Sequence, residues 1–428
     1  MNKFYYLLLF LFFLSNCSFD TKSGFWTQEQ ISEINNEKIL FQKEEININE
    51  LNPDLIIKLG LDVKKNNILN GNNQGIVSIE SDLLKISKFK FKKNKFFDQF
   101  APEIIFINND LIFFEKNGTI IRINEKSEVI WKKNYYSKKE KKNNLVLKLT
   151  KINDKILVTD NLSKIYLLNT DNGNLVWETD HKVNFISEIK AENDYFFALD
   201  ALNNFNCFSL INGALIWDFK AENQLINSQK QTSIIYDEDQ VIFNNAQNKI
   251  VSLSKNGNLL WITPTISFEE EFQSYLIDNS DLVLDDQSIL FSNNANSFYS
   301  INSKTGVIRW KQKINSNLKP IVVDNVIFTI SSNRYLNIIE KNSGNIIRIT
   351  DILKNFKQRK IDKMKITGFL VSEEKIFITT DNGNLIIVDI AIGKVEKVYK
   401  ISRDSISRPY VNNNKLYFMK KNEIIKMD

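Results

Sequence analysis

Side chains able to act as catalytic bases or nucleophiles are scarce in this sequence of 428 residues. It contains one histidine, His181, and two cysteines, Cys17 and Cys207. Zinc and copper sites of the common kinds need several His or Cys ligands, and a Ser-His-Asp triad needs a nucleophile motif besides its histidine. We therefore expect no catalytic residue, no metal site and no cofactor. His181 is interpreted as a surface residue, and Cys207, in the run FNCFSL, as a small buried apolar side chain.

Two acidic runs are the remaining candidates for chemistry. FEEEF at 268–272 and DLVLDD at 281–286 bring carboxylates together, and paired carboxylates can hydrolyse glycosides or hold calcium. Neither run has the spacing of a calcium loop. We interpret both as solvated loop residues, some of which contact a partner.

The N-terminus has the features of a secretory signal. MNKFYYLLLFLFFLSNC carries one lysine, an apolar run from Phe4 to Leu14 that is too short to span a bilayer, and then Cys17. Leu14 followed three residues later by cysteine resembles the bacterial lipobox, although Asn16 replaces the usual small residue. The sequence predicts a signal peptide at 1–17 with lipid on Cys17. Ordinary cleavage nearby is the alternative.

The lipobox resemblance also predicts where the chain resides. Lipoprotein sorting, by resemblance, sends a chain with Ser18 after the cysteine to the outer membrane, with its domain on the periplasmic face. Residues 18–65 are polar and lack any repeat, which indicates a tether. We assign residues 66–428 to one folded domain.

A repeated phrase organises that domain. Five tryptophans stand 40 to 49 residues apart, and in four phrases a glycine precedes the Trp by four residues, as in NTDNGNLVW at 169–177. Later copies keep the glycine but place Arg348 and Lys397 in the Trp position, from which we expect looser joints between the late repeats. The repeat residues are Trp131, Trp177, Trp217, Trp261 and Trp310, with Gly173, Gly213, Gly257, Gly306, Gly344 and Gly393.

Each copy contains short apolar runs rich in branched and aromatic residues, separated by turns such as Asp-Asn-Gly at 171–173. These features indicate antiparallel strands joined by hairpins, with asparagine in the turns that lack glycine. A four-stranded unit repeated at this period must stack on its neighbours around an axis. The sequence therefore predicts an all-β propeller.

The number of blades depends on the ends of the domain. Residues 407–427 supply three strands without a closing phrase, and DLLKISKFKF at 82–91 is an unassigned strand-like run. Pairing the two would complete an eighth blade and close the ring. We predict eight blades, with seven as the alternative.

Charge limits the possible partners. The formal net charge of +5 is spread along the chain, so no nucleic-acid surface is expected. One dense basic run, YYSKKEKKNN at 135–144, is interpreted as a solvated loop. Contact with phospholipid headgroups is the alternative.

The glycine-to-tryptophan phrase resembles the repeat of quinoprotein-type propellers, over roughly residues 80–428. The resemblance implies that the tryptophans of the phrase pack between neighbouring blades and do not bind quinone. One branch comprises quinone-dependent dehydrogenases, which often stack the quinone on adjacent cysteines that this chain lacks. The other comprises BamB-like lipoproteins of the outer-membrane β-barrel assembly machinery. The lipobox, the tether, eight blades closed by an N-terminal strand and the total length resemble the BamB-like branch.

The BamB-like resemblance implies a function and a contact surface. It implies a non-enzymatic scaffold, monomeric within a complex, that binds a BamA-like barrel-inserting subunit and possibly unfolded outer-membrane proteins. In that family the loops between blades 3 and 4 and between blades 4 and 5 contact the partner. Here these loops are 219–233 and 263–281, and the implied contacts are Leu225, Ile226, Gln229 and Asp278.

Two alternatives stay open. A quinone-dependent dehydrogenase would bind quinone and calcium. A ligand-binding or sugar-binding propeller of another envelope complex would need an axial pocket lined with aromatic side chains.

Overall fold

The computed structural model describes most of the domain. The described residues are 50–59, 76–79, 86–91, 103–220, 232–237, 239–266, 278–354, 356–357 and 364–428. The predicted signal peptide with Cys17 lies outside them, as does most of the predicted tether. Every described residue belongs to one unit, residues 48–428.

Thirty-two strands form eight antiparallel sheets of four strands each in the described chain. Strand β1 spans Ile86–Lys90. Blade 1 contains β2–β5, at Ile105–Ile107, Asp110–Phe114, Ile120–Ile123 and Val129–Lys133. Blade 2 contains β6–β9, at Leu147–Ile152, Lys155–Asp160, Lys164–Asn169 and Leu175–Asp180. Blade 3 contains β10–β13, at Lys190–Glu192, Tyr195–Leu199, Asn204–Ser209 and Leu215–Lys220.

The remaining blades repeat this order. Blade 4 contains β14–β17, at Ile234–Asp237, Gln240–Asn244, Lys249–Ser254 and Leu259–Pro264. Blade 5 contains β18–β21, at Val283–Asp285, Ser288–Asn293, Ser297–Asn302 and Ile308–Gln312. Blade 6 contains β22–β25, at Ile321–Val323, Val326–Ile330, Tyr335–Glu340 and Ile346–Asp351. Blade 7 contains β26–β29, at Ile366–Val371, Lys375–Thr380, Asn384–Asp389 and Val395–Lys400.

Blade 8 closes the ring. Its strands β30–β32 span Tyr410–Asn412, Lys415–Lys420 and Glu423–Met427, and β1 pairs antiparallel with β32 from Ile86↔Met427 to Lys90↔Glu423. The N-terminal strand thus occupies the outer position that β5 holds in blade 1. The prediction of an eight-bladed propeller closed by an N-terminal strand is confirmed, and the seven-bladed alternative is wrong.

The hydrophobic core is divided among the joints between blades. Each of the eight clusters of buried apolar side chains draws on two neighbouring blades, from the joint between blades 1 and 2 round to the joint between blades 8 and 1. The two middle strands of a blade are therefore buried on both faces, as the patterns of β7 and β8 show, while outer strand β9 is mostly exposed. Neighbouring blades stabilise one another.

A bulge separates the third and fourth strands of blades 1 to 7. In blade 2 the register shifts between Leu167, which faces Trp177, and Leu168, which faces Leu175, so Val176 is the extra residue. A bulged strand bends and twists more strongly. Because of this shift, the tryptophan points towards the next blade while Leu175 and Val176 both stay exposed.

Asparagine makes many of the turns. Nine of the fifteen non-glycine residues with positive φ in the described chain are asparagines, including Asn153, Asn193 and Asn248. Asn tolerates the left-handed region better than other residues with a side chain. Ser127, which replaces the glycine of the first phrase, has φ of 66°.

A short N-terminal segment, residues 50–59, packs on the outside of blades 6 and 7. Leu51 pairs with Ile349 through two backbone hydrogen bonds, of 3.2 and 3.0 Å, and therefore extends the outer edge of β25. The Ile57 amide donates to the Ala391 carbonyl at 3.0 Å, and the Ile57 side chain is buried in the joint between blades 6 and 7. We call residues 50–59 the strap; they lie within the stretch expected to be a tether.

Candidate functional site

The tryptophans of the repeat connect neighbouring blades. Each indole Nε1 donates a hydrogen bond to a backbone carbonyl in the turn that precedes the outer strand of the next blade. The five pairs are Trp131 with Thr170 at 2.8 Å, Trp177 with Leu210 at 3.0 Å, Trp217 with Lys255 at 3.0 Å, Trp261 with Ser303 at 3.1 Å and Trp310 with Lys341 at 2.9 Å. A buried indole needs such a partner for its N–H.

The glycines of the phrase lie directly against these indoles. At Gly344, with φ of 75°, an added Cβ would lie 2.5 Å from the Trp310 ring, so both the backbone conformation and the space require glycine. The same approach to the preceding tryptophan occurs at Gly173, Gly213, Gly257 and Gly306. Glycine and tryptophan of the phrase therefore meet across the joint, each on a different blade.

Arg348 fills the tryptophan position of blade 6, and the expectation of a loose joint there is wrong. The side chain is fully buried, and its guanidinium donates to the carbonyls of Ile390 at 2.6 Å, Ala391 at 2.7 Å and Leu55 at 2.9 Å. Gly393 lies against this guanidinium as the other glycines lie against indoles. The arginine thus joins blade 6 to blade 7 and also holds the strap.

Lys397 occupies the same position of blade 7 and is exposed. The outer strand of blade 8 is β1, which comes from the N-terminal part of the chain.

The predicted partner loops are described only at their ends. Leu225, Ile226 and Gln229 lie outside the described residues, as does FEEEF at 268–272. Asp278 is exposed, and its backbone pairs with Asn294 of blade 5 through two hydrogen bonds of 3.0 Å, one of them to the Asn294 side chain. Both loops connect an outer strand to the next inner strand, so both emerge at the same end of the ring, on either side of blade 4.

His181 is not a surface residue, which corrects the sequence interpretation. Its ring stacks on Phe185 with centroids 4.8 Å apart, meets Phe208 edge-on, and lies 3.3 Å from the Asp200 carboxylate through Nε2. Burial raises the pKa of Asp200, but the hydrogen bonds from His181 and Asn204 outweigh it and hold this pKa below its ordinary value. The histidine therefore fastens a loop between blades 2 and 3.

Charged side chains gather around the axis, where the innermost strands begin. Lys148 Nζ donates to the Ser187 carbonyl at 2.5 Å, and Glu188 accepts from Ser233 Oγ and the Ile234 amide, both at 3.1 Å. Every one of these contacts joins neighbouring blades. We call the following set the axial charges: Glu103, Lys148, Glu188, Lys190, Asp281, Lys319 and Arg408.

The axial charges act on one another electrostatically. Burial raises the pKa of Asp281, and the negative charge of Glu188 adds to this rise against the attraction of Lys319 and Arg408. Burial also acts to raise the pKa of Glu188, but Lys190, Lys319 and the two hydrogen-bond donors hold that pKa below its usual range. Of these two carboxyls, Glu188 is the one that keeps its charge more readily.

Burial shifts the pKa of two lysines among the axial charges downward. Burial lowers the pKa of Lys148 to about 8, against the attraction of Glu103 and Glu188. Burial likewise lowers the pKa of Lys319. The axis therefore holds charges of both signs in a partly desolvated setting.

DLVLDD at 281–286 is not simply a solvated loop, as the sequence interpretation had it. Asp281 belongs to the axial charges, while Asp285 and Asp286 accept hydrogen bonds from Lys341 Nζ of blade 6 at 2.5 and 2.9 Å. The axial charges were missed because they are scattered through the chain. The sequence signal that could have identified them is a charged residue that recurs at or just before the first strand of several blades.

In the described part of the chain, no three His, Cys, Asp or Glu side chains are placed to hold a metal ion. None of its helices has the length and apolar character needed to cross a membrane. A cavity of about 310 Å³ lies between blades 2 and 3, and it is lined by Lys151, Ile152, Asn153, Ala191, Glu192 and Asn193. This lining contains no aromatic side chain.

Comparison with known proteins gives one family and several similar folds. A family model described as outer membrane protein assembly factor BamB matches residues 116–350, more than half of the chain. No curated protein sequence matches significantly. The solved structure of BamB from Moraxella catarrhalis superposes with a TM-score of 0.64 at 11% identity, covering 80% of this chain and 98% of that one.

Two dehydrogenases have similar folds. A europium-containing methanol dehydrogenase superposes with a TM-score of 0.62 at 10% identity, covering 82% of this chain and 88% of its own. Quinohemoprotein alcohol dehydrogenase from Comamonas testosteroni gives 0.59 at 8% identity, covering 82% and 78% respectively. Identities this low show a common propeller fold and nothing finer.

Proposed function

Because this chain belongs to the family of outer membrane protein assembly factor BamB, we propose that it is a non-enzymatic scaffold that assists assembly and insertion of β-barrel outer-membrane proteins. The family match over blades 1 to 6 is the observation that carries the proposal. The eight-bladed ring supports it, since a ring stabilised at every joint can present loops in fixed positions.

The loops on either side of blade 4 are the proposed contact surface for a BamA-like barrel-inserting subunit. Leu225 and Ile226 are two adjacent apolar residues in an otherwise polar loop, which is typical of interface anchors. Gln229 and Asp278 complete the surface, and Asp278 is exposed at the end of the second loop. Unfolded outer-membrane proteins are a second proposed partner.

Co-purification tests the scaffold proposal. A tagged chain should bring down the barrel-inserting subunit from gently solubilised envelopes, and Leu225→Glu with Ile226→Glu should reduce the yield at least about tenfold by placing two charges in an apolar contact. Ile211→Glu is the matched control, because Ile211 is 69% exposed at the opposite end of the ring. Equal yields from wild type and double variant would reject this contact surface. A wild type that captures no such subunit would reject the function.

Lipid on Cys17 is the proposed anchor, with the mature domain on the periplasmic face of the outer membrane. In this proposal residues 1–17 form the signal, 18–65 contain the tether and 66–428 form the propeller. The expected outcome is that Cys17→Ser abolishes incorporation of radiolabelled palmitate and releases the chain from sedimented membranes. Incorporation that survives the substitution would rule out Cys17 as the modified residue.

A quinone-dependent dehydrogenase remains the second candidate, because both similar dehydrogenases share the propeller fold. It predicts that the purified chain, mixed with pyrroloquinoline quinone and calcium, retains the quinone absorbance after gel filtration. Loss of all absorbance on the column would remove this candidate.

A further inference from the structure

A basic loop projects from the ring between blades 1 and 2. Residues 135–144, the basic loop, connect β5 to β6 and contain a short 3-10 helical turn at Glu140–Lys142. Three backbone hydrogen bonds build the turn, from Lys141 to the Ser137 carbonyl at 3.0 Å, from Lys142 to the Lys139 carbonyl at 3.2 Å and from Asn143 to the Glu140 carbonyl at 2.9 Å. The loop therefore has a defined shape.

Buried residues anchor the basic loop near both ends. Tyr136 is 4% exposed, and its hydroxyl donates to the Asp160 carboxylate at 2.6 Å. Leu145 is 2% exposed and packs in the joint between blades 1 and 2, and its amide donates to the Lys116 carbonyl at 3.1 Å. The anchors hold the tip of the loop in a fixed place above this joint.

Glu140, the one acidic residue of the basic loop, forms an ion pair with a lysine of blade 2. Glu140 pairs with Lys164 of β8 at 2.9 Å and accepts a hydrogen bond from the Ser137 amide at 2.7 Å. Lys138, Lys139, Lys141 and Lys142 are all exposed, and no carboxylate among the described residues lies within ion-pair distance of them. The tip therefore presents four positive charges that the fold does not use.

The N-terminal segment reaches the ring at the same end. Within each blade the loop after the outer strand lies at the end where the inner strand starts, and this holds for the basic loop after β5 and for the loop after β25. Glu50, at the start of the strap, accepts a hydrogen bond from Lys354 Nζ of that second loop at 2.6 Å and one from the Asp351 amide, at the end of β25, at 3.4 Å. Glu50, the first described residue of the strap, therefore lies on the face that carries the basic loop.

Blade order places these two points relative to the partner loops. The basic loop lies between blades 1 and 2 and the strap between blades 6 and 7, so blade 8 is midway between them. Blade 4 is directly across an eight-bladed ring from blade 8. The described ends of the loops at 219–233 and 263–281 flank blade 4 and so lie on the far side of the same face.

We propose that the basic loop binds anionic phospholipid headgroups, so that the blade 8 side of the propeller rests on the membrane while blade 4 lies on the side away from it. This inference rests on the proposed membrane anchor at Cys17. A flat anionic surface suits a convex tip of lysines on long stems, since several headgroups can meet it at once. Nucleic acid fits less well, because the tip offers neither a groove nor an exposed aromatic ring for stacking bases.

Vesicle sedimentation of the mature chain, residues 17–428 with Cys17→Ser, tests the proposal without the lipid anchor. The chain should bind vesicles of phosphatidylcholine with 30% phosphatidylglycerol and should not bind pure phosphatidylcholine. Replacing Lys138, Lys139, Lys141 and Lys142 with Gln should lower partitioning by roughly 600-fold, at about fivefold for each lysine. Raising the salt concentration should weaken wild-type binding.

A matched variant controls for net charge. Lys126→Gln, Lys255→Gln, Lys394→Gln and Lys397→Gln remove four exposed lysines at or near the opposite end of the ring, and wild-type partitioning should be kept. Equal loss in both quadruple variants, retained binding by the first, or equal binding to neutral vesicles would each overturn the proposal. So would tighter capture of a single-stranded oligonucleotide than of anionic vesicles. Co-purification of the partner subunit is measured separately, so failure here leaves the scaffold function untouched.

Discussion

At the scale of single residues, the glycine and the tryptophan of each phrase act on different blades. The phrase reads as one local motif in the sequence, yet Gly213 packs on Trp177 of the preceding blade, and Trp217 from the same phrase reaches Lys255 of the next. The period and the turn chemistry were sufficient to predict the propeller, and the resemblance of the phrase to quinoprotein-type repeats implied that its tryptophans lie between blades. Their hydrogen-bond acceptors were not predictable, because these acceptors are backbone carbonyls that any residue supplies.

Trp177→Ala should destabilise the protein by roughly 3 to 5 kcal/mol, as a large-to-small change between packed blades does. Half-exposed Val176 is the neighbouring bulge residue, and Val176→Ala should change stability by less than about 0.5 kcal/mol. Urea unfolding of both variants gives the comparison. Identical midpoints for Trp177→Ala and wild type would contradict the packing role.

Lys148 should make stability depend on pH. Burial lowers its folded pKa to about 8 from 10.5, so between these values the unfolded chain binds more protons and stability rises with pH. We expect wild type to gain stability from pH 7.5 to 9.5, with a slope of up to about 1.4 kcal/mol per pH unit. Lys148→Met should show a smaller slope, and Lys126→Met, at an exposed site, should keep it. A slope unchanged by Lys148→Met would disprove the assignment.

At the scale of elements, the repeat identifies complete blades well and everything outside the repeat poorly. Blades 2 to 7 follow from their phrases because each phrase marks one outer strand. The strap contains no copy of the repeated phrase, and its position depends on the buried Arg348. In the sequence this arginine indicated only a missing tryptophan. Arg348 shows that a position can lose its tryptophan and still be filled, by a side chain with several donors.

Arg348→Met should destabilise the joint between blades 6 and 7 by about 2 to 4 kcal/mol, because three carbonyls lose the guanidinium donors and only that of Ala391 keeps a second donor, the Ile57 amide. The substitution should also release the strap, since the Leu55 carbonyl accepts a hydrogen bond from the Arg348 side chain. Limited proteolysis should then cut within 50–59 faster than in wild type. Lys397→Met, at the exposed equivalent position, should change neither the melting temperature nor the cleavage rate.

At the scale of the whole molecule, β1 decides whether the ring is closed. Phe89 of this strand packs against Phe113 of blade 1 with ring centroids 5.7 Å apart, so β1 completes blade 8 and also seals its joint with blade 1. The missing fourth strand was predictable because residues 407–427 stop one strand short. The axial charges were not, since only closure of the ring brings them together.

Phe89→Asp should detach β1 and leave the edge of β32 unpaired, and an unpaired edge promotes association between chains. We expect a loss of about 2 to 4 kcal/mol and a concentration-dependent shift to larger species in size-exclusion chromatography. Lys90→Asp places the same charge on an exposed residue of the same strand and should stay monomeric. A monomeric Phe89→Asp chain of wild-type stability would contradict the closure by β1.

The pairing of β1 with β32 also sets the order in which the protein can mature. Strand β1 leaves the ribosome long before its partner, because more than 300 residues separate Lys90 from Glu423. Seven blades can form in turn while β1 waits unpaired, and contacts this distant in sequence form slowly. The last step of maturation is therefore the return of the earliest strand, which makes the interval between synthesis and closure the time when the chain most needs a chaperone.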